Sequence, residues 1–105
     1  MDGQMNFKKG VKMKEFDKLR SLLLKNKIPF EERIINTYYH GGYPQIIYPD
    51  DNNRVCDVIA LPEQKGKLEM MGLVDVELLG DNVQAYMTAN EVFEKILNHF
   101  NGEEN

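Results

Sequence analysis

The sequence has 105 residues, of which 42% are hydrophobic and 29% are charged, so it predicts one domain with a modest core and excludes a large multidomain enzyme. No apolar run approaches the roughly 18 residues of a transmembrane helix, and the N-terminal residues lack a signal-peptide pattern. The single cysteine, Cys56, excludes an internal disulfide and a zinc site of several thiolates, so we predict a cytoplasmic protein without a membrane contact.

The N-terminal part of the chain predicts a tail followed by an amphipathic helix. Residues 1–12 carry glycines and polar side chains without a period, and we expect them to be disordered. From Met13 onward, apolar residues recur at helical spacing; they are Phe16, Leu19 and Leu23. The opposite side of this helix carries Lys14, Lys18 and Lys25. We expect the helix to end near Asn26, which tolerates the left-handed conformation, because Pro29 prevents its continuation.

The middle of the chain predicts an antiparallel sheet. Residues 30–39 predict a first strand, for which an edge position is open. The turn His40-Gly41-Gly42 ends this strand. The stretch 45–61 is typical of a β-hairpin, because two apolar runs flank the turn-forming residues Pro49 to Asn53. A further strand is predicted over 68–73, and 74–79 is ambiguous. The residues Gly80-Asp81-Asn82 predict a turn before a short fifth strand or edge segment over 83–87.

The C-terminal helix has the clearest start signal. Thr88 and Glu91 form a capping-box pattern, and apolar residues then recur at helical spacing up to Phe100, with Gly102 able to end the helix. The order of elements predicts an α+β domain over 13–101, with an antiparallel sheet of four to five strands and both helices packed on one face. Residues 102–105 are predicted to form a second tail.

Four segments together carry a family resemblance. They are QIIY at 45–48, VCDVI at 55–59, LEMMGL at 68–73 and YMTANEVFEKI at 86–96. In this combination the chain resembles a group of small uncharacterised proteins of bacteriophages and prophages of Gram-positive bacteria, over roughly residues 13–100. The resemblance implies an accessory role in a mobile element and transfers no catalytic residue. The chain departs from that group in the loop LPEQKGK after the VCDVI strand, where a loop rich in glycine and tyrosine is expected.

The sequence contains few combinations of residues that could form a catalytic site. Ser21, the only serine, lies in a predicted helix, and Cys56 lies among core-like strand residues, so neither predicts a hydrolase nucleophile. The weak candidates for catalysis are Asp50, Glu63 and Lys65, which match the PD…ExK pattern of metal-dependent nucleases. Asp50 also fits a plain turn role. The sequence predicts no resident metal and no cofactor, because it contains none of the common ligand or phosphate-loop motifs.

Binding candidates are more numerous than catalytic ones. The segment Tyr38, Tyr39, His40 and Tyr43 can present rigid aromatic area around its glycine turn, or simply form a strand and turn. Asp57 interrupts an apolar strand, so its carboxylate either points to solvent or is buried with a partner; Arg33, Arg54 and the tyrosines are the candidate partners.

The charge distribution leaves a second type of partner open. Residues 1–27 hold eight basic against three acidic side chains, whereas the remainder has a net charge of −9. The lysines of the first helix therefore either form an ordinary solvated face or, together with the tyrosine segment, contact nucleic acid. Our prediction is non-catalytic binding to a host or phage protein. The alternatives are a nucleic-acid-binding module and the nuclease, and homodimerisation through an exposed sheet edge is also open.

Overall fold

The computed structural model describes residues 14–35, 42–61, 64–74, 77–78 and 81–102. These residues form two helices and an antiparallel sheet, in the chain order of the elements that follow. They are α1 (Lys14–Lys25), β1 (Glu31–Ile35), β2 (Tyr43–Tyr48), β3 (Cys56–Ala60), β4 (Leu68–Met71), β5 (Glu77–Leu78), β6 (Asp81–Met87) and α2 (Ala89–Phe100). The order of strands across the sheet is β1-β2-β3-β4-β6-β5. The predicted α+β class is therefore confirmed, as a small single domain.

Both helices lie on the same face of the sheet. The buried apolar side chains of α1 and α2 form one core cluster with strand residues such as Ile46, Val58 and Met70. Phe16, Leu19, Leu23 and Ile96 are fully buried in that cluster, as their helical spacing predicts. Since each fully buried apolar side chain contributes about 1.5–3 kcal/mol, this layer holds the helices on the sheet.

The two helices also contact each other through a polar cap. Thr88 Oγ1 accepts a hydrogen bond from the backbone N–H of Glu91 at 3.2 Å, and Glu91 Oε1 accepts one from the Thr88 N–H at 2.9 Å, which confirms the predicted capping box. The carboxylate of Glu15 in α1 accepts a third bond, from the backbone N–H of Ala89 at 2.7 Å. A side chain of the first helix thereby satisfies a free N–H at the start of the second.

Three details of the chain path differ from the sequence expectations. The left-handed residue after α1 is Lys27, with φ 57°, whereas Asn26 uses its side-chain amide to donate to the carbonyl of Leu22 at 2.8 Å. Asp81 and Asn82 are not in a turn but begin β6, which pairs with both β5 and β4. The ambiguous stretch contains the two-residue strand β5. The predicted tail over 1–12, residues 103–105 of the predicted tail over 102–105, and the segment 36–41 lie outside the described residues.

Candidate functional site

The face of the sheet opposite the helices carries a chain of hydrogen-bonded polar side chains. Alternation along β2 directs Ile46 and Tyr48 to the helices and Tyr43, Gln45 and Ile47 to the other face. On this second face Gln45 lies beside Arg33 of β1 in the strand register. Asp57 of β3 lies diagonally across from Gln45, because its direct partners are Ile47 and Met71.

Gln45 joins an arginine to an aspartate. Its Oε1 atom accepts a hydrogen bond from Arg33 Nε at 2.8 Å, and its Nε2 atom donates to Asp57 Oδ2 at 2.9 Å. Gln45 is only 3% exposed, so both of its polar groups are paired where water has little access. The amide therefore fixes the orientation of the Arg33 guanidinium and of the Asp57 carboxylate.

The loop between β2 and β3 adds a second arginine and a second carboxylate. Arg54 Nη2 lies 2.5 Å from Asp51 Oδ1, and Arg54 Nη1 lies 3.9 Å from Asp57 Oδ1. Asp51 Oδ2 lies 3.5 Å from Arg33 Nη1. The hydrogen bond from Arg54, with the charges of Arg33 and Arg54, holds the pKa of Asp51 below its usual range, so this carboxylate is ionised at neutral pH. Together Arg33, Asp51, Arg54, Asp57 and Met71 form a surface that we call the arginine face, with Gln45 beneath it.

Exposure differs sharply between members of the arginine face. The side chains of Arg33 and Asp51 are 49% and 50% exposed, whereas the side chain of Asp57 is 14% exposed. Met71, the register partner of Asp57, is 45% exposed. The predicted choice for Asp57 is thus resolved: its carboxylate is largely buried and hydrogen-bonded. Arg54 is close to it, whereas Arg33 reaches it through Gln45.

Sequence reasoning named some of these residues and missed others. Tyr43 and Asp57 were predicted as binding residues; the structure directs both to the face of the sheet opposite the helices, where the side chain of Asp57 is 14% exposed and Tyr43, at 6% exposed, is buried. Gln45, Asp51 and Met71 were not singled out. Gln45 had a usable signal, because it alternates with Tyr43 and Ile47 and is thus a polar residue between apolar neighbours on one face of the strand. The other predicted aromatic residues, Tyr38, Tyr39 and His40, lie outside the described residues.

The predicted basic surface lies elsewhere on the molecule. Lys14, Lys18 and Lys25 are exposed on α1, and α1 packs against the helix-bearing face of the sheet. Tyr43 is directed to the opposite face. The sheet therefore separates these lysines from Tyr43, the residue of the predicted aromatic segment that the structure describes.

The nuclease candidates do not converge among the described residues. Asp50 Oδ1 accepts hydrogen bonds from the backbone N–H and the side-chain amide of Asn53, at 2.8 and 3.2 Å, which is a turn role. Lys65 is exposed and has φ 54° in the turn before β4, and Glu63 lies outside the described residues. Across the described ranges, no group of three or more His, Cys, Asp and Glu side chains is arranged to hold a metal ion.

The cysteine and the helical histidine have structural surroundings. Cys56 is 2% exposed, and burial, followed by the charge of Asp57, raises the pKa of its thiol to about 12. The thiol is therefore protonated at neutral pH and is a poor nucleophile. His99 Nδ1 lies 2.8 Å from the hydroxyl of Tyr48, with the two rings at an edge-to-face angle of 89°. This contact ties the end of α2 to β2.

A groove of about 370 Å³ lies between β6 and α2. Its lining is mainly polar and contains both Glu94 and Lys95, so its charge favours no single class of ligand. Glu91 also lines it, but one of its carboxylate oxygens already belongs to the capping box. The groove therefore offers a weaker case for a site than the arginine face.

Comparisons with known proteins found no match to this chain. No protein-family model, no curated protein and no solved structure matches the chain. Within the described part of the chain, neither helix has the length or hydropathy needed to cross a bilayer.

Proposed function

We propose that this protein acts by non-catalytic binding and that it contacts another protein through the arginine face. The observation that carries the proposal is the hydrogen bonding of Arg33 to the buried amide of Gln45. Burying a polar side chain costs free energy unless its groups are paired, and here the pairing orients a half-exposed guanidinium. An exposed arginine held in one geometry loses little conformational entropy when it binds a partner.

The composition of the arginine face supports a protein partner. Arginine and methionine are enriched in protein interfaces relative to other surfaces, and arginine is frequent among the residues that dominate binding energy. Arg33 and Met71 are both about half exposed. The resemblance to phage and prophage accessory proteins leads us to propose a host or phage protein as the partner, in the cytoplasm of the host.

Affinity capture from a host-cell lysate tests this proposal. The immobilised protein is incubated with lysate in two arms, one treated with nuclease and one untreated. We expect one protein to be retained near a one-to-one ratio in both arms, and Arg33→Gln to weaken its retention. The matched control replaces Lys14, Lys18 and Lys25 with glutamine and should retain the partner. Capture that disappears with nuclease would contradict the proposal.

Nucleic-acid binding is a second candidate because the three lysines of α1 are exposed. It predicts that affinity for a DNA or RNA oligonucleotide falls steeply with salt and is lost in the lysine variant. Arg33→Gln should then weaken oligonucleotide binding only as much as the loss of any one positive charge would. Self-association through the β1 edge stays a separate prediction, which light scattering at increasing protein concentration tests.

A further inference from the structure

Asp51 lies between two guanidinium groups that come from different parts of the chain. Arg33 belongs to β1, and Arg54 follows Asp51 in the loop between β2 and β3. One carboxylate oxygen of Asp51 is 2.5 Å from Arg54 Nη2, and the other is 3.5 Å from Arg33 Nη1. The two arginines therefore lie close enough to share a single carboxylate.

Each arginine has a second anchor that does not involve Asp51. Arg33 Nε donates to Gln45 Oε1, and Arg54 Nη1 lies 3.9 Å from Asp57 Oδ1. Gln45 and Asp57 belong to paired strands and are hydrogen-bonded to each other. The guanidinium group of Arg33 should therefore keep its orientation when the carboxylate of Asp51 moves away, and the charge of Asp57 should keep Arg54 nearby. The carboxylates that then remain nearby are those of Asp57 and of Glu31, which accepts a hydrogen bond from the Asp51 N–H at 3.3 Å.

The contact made by Asp51 is of a kind that a competing carboxylate can replace. The Asp51 side chain is 50% exposed and the Arg33 side chain 49%, and ion pairs between exposed side chains contribute about 1 kcal/mol or less because water competes for both partners. Arginine presents several N–H donors in a planar fork that fits carboxylates. A second carboxylate of suitable geometry can thus take the same position.

We propose that Asp51 occupies, in the free protein, the position that an acidic side chain of the partner protein takes between Arg33 and Arg54 in the complex. This inference rests on the proposed function and specifies the partner as one that presents an acidic segment. The position of Asp51 supports it, since a carboxylate already fits between the two guanidinium groups in the free protein. Met71, half exposed beside Asp57, offers an apolar contact to a peptide that a free inorganic anion does not use.

A peptide of six glutamates is the probe for this site. Binding to the ¹⁵N-labelled full chain is followed by NMR through the Arg33 Nε–Hε correlation, since this group is a donor at the site. We expect Asp51→Asn to lower the Kd of the peptide about threefold, the effect of removing one competing exposed ion pair. Arg33→Gln or Arg54→Gln in the same background should reverse the gain. Unchanged backbone correlations in the helices verify that each variant is folded.

Asp17→Asn is the matched control. Asp17 pairs with Arg20 three residues along the chain, as Asp51 pairs with Arg54, and it lies on α1. Both substitutions change the net charge by one unit, so any difference between them measures the local effect. An equal gain in the two variants, or weaker binding after Asp51→Asn, would overturn the proposal. So would peptide-induced shifts confined to α1.

Two further results separate this inference from the proposed function and from a simple anion site. Inorganic phosphate is titrated in a parallel arm, and binding as tight as that of the peptide would overturn the assignment to an acidic segment. A captured protein that is lost in Arg33→Gln but binds Asp51→Asn no better than the unmodified chain would leave the proposed function intact and refute the displacement. Tighter peptide binding to Asp51→Asn without any captured protein would support the displacement and count against the proposed function.

Discussion

The two faces of the sheet are built on different principles. On the helix-bearing face, strand side chains such as Ile46 and Val58 are fully buried against α1 and α2. On the arginine face, a buried glutamine connects the half-exposed Arg33 to the largely buried Asp57. The first face is held by apolar area, which is insensitive to orientation, whereas the second combines the buried side chains of Ile47 and Tyr43 with hydrogen bonds, which are directional. The difference indicates that the first face supplies stability and that the second fixes a surface geometry.

The largest expected effect concerns the apolar layer. Leu19 is fully buried and Leu24, on the same helix, is 62% exposed. Leu19→Ala should lower the free energy of unfolding by about 2–5 kcal/mol, because it removes buried methyl groups and leaves a cavity. Leu24→Ala should change it by less than about 0.5 kcal/mol. Urea unfolding followed by circular dichroism compares the two, and similar values would contradict the placement of α1.

A smaller effect is expected for Gln45 on the arginine face. Gln45→Met keeps the volume of the side chain but leaves Arg33 Nε and Asp57 Oδ2 without this partner. The loss in the free energy of unfolding should be about 1–3 kcal/mol, because the desolvated carboxylate of Asp57 loses a hydrogen bond. The same urea titration measures it. An unchanged midpoint would show that the amide does not hold these groups.

The cap of α2 gives the next effect in size. Thr88→Ala removes the side-chain acceptor for the Glu91 N–H and should cost about 1 kcal/mol. Thr88→Ser keeps the hydroxyl and is the control, with a cost near zero. If both variants lose the same free energy of unfolding, the methyl group rather than the cap is responsible.

The smallest effect is a dependence on pH. Two hydrogen bonds from Arg20, at 2.8 and 2.7 Å, hold the pKa of Glu32 below its usual range. A carboxylate with a lowered folded-state pKa stabilises the fold above its unfolded pKa of about 4.3 and loses that contribution as the pH falls through the folded value. Glu32→Gln should therefore reduce the loss of stability between pH 7 and pH 3.

The size of this pH effect is limited by exposure. The Glu32 side chain is 34% exposed, so the contribution should be no more than about 1 kcal/mol. Glu31→Gln is the control, because Glu31 accepts a hydrogen bond from the Asp51 N–H instead of pairing with Arg20, and it should alter the pH dependence less. Urea midpoints at the two pH values provide the measurement. An equal change in both variants would mean that the ion pair with Arg20 is not the cause.

The sequence was sufficient to predict the two helices, which are defined by the spacing of their apolar residues or by a capping motif. Phe16, Leu19 and Leu23 recur at helical spacing, and Thr88 and Glu91 stand at the spacing that a capping box requires. Local patterns do not specify which polar side chains meet across strands. Gln45 and Asp57 are twelve residues apart and meet diagonally, a contact that depends on the register and twist of β2 and β3.

Left-handed backbone at residues other than glycine was also beyond sequence reasoning. Lys27, Leu73 and Tyr86 all have positive φ, although side chains of this size disfavour that region. At Tyr86 the reason is tertiary: its backbone N–H donates to Gln64 Oε1 at 3.0 Å, and Gln64 is 6% exposed. An interaction between distant segments thus accompanies the conformation of Tyr86, whereas Lys27 lies in a local helix end, where the Ile28 N–H donates to the Leu23 carbonyl at 3.0 Å.

The most direct test of the central claim compares two arginines, one on each side of the sheet. Arg20 pairs with Asp17 and Glu32. Arg33 donates to Gln45 and lies near Asp51. Both arginine side chains are partly exposed. Each is replaced by glutamine, and the affinity for the captured partner is measured by calorimetry. We predict that Arg33→Gln raises the Kd about tenfold or more and that Arg20→Gln leaves it nearly unchanged. Equal effects, or a larger effect at Arg20, would contradict binding through the arginine face.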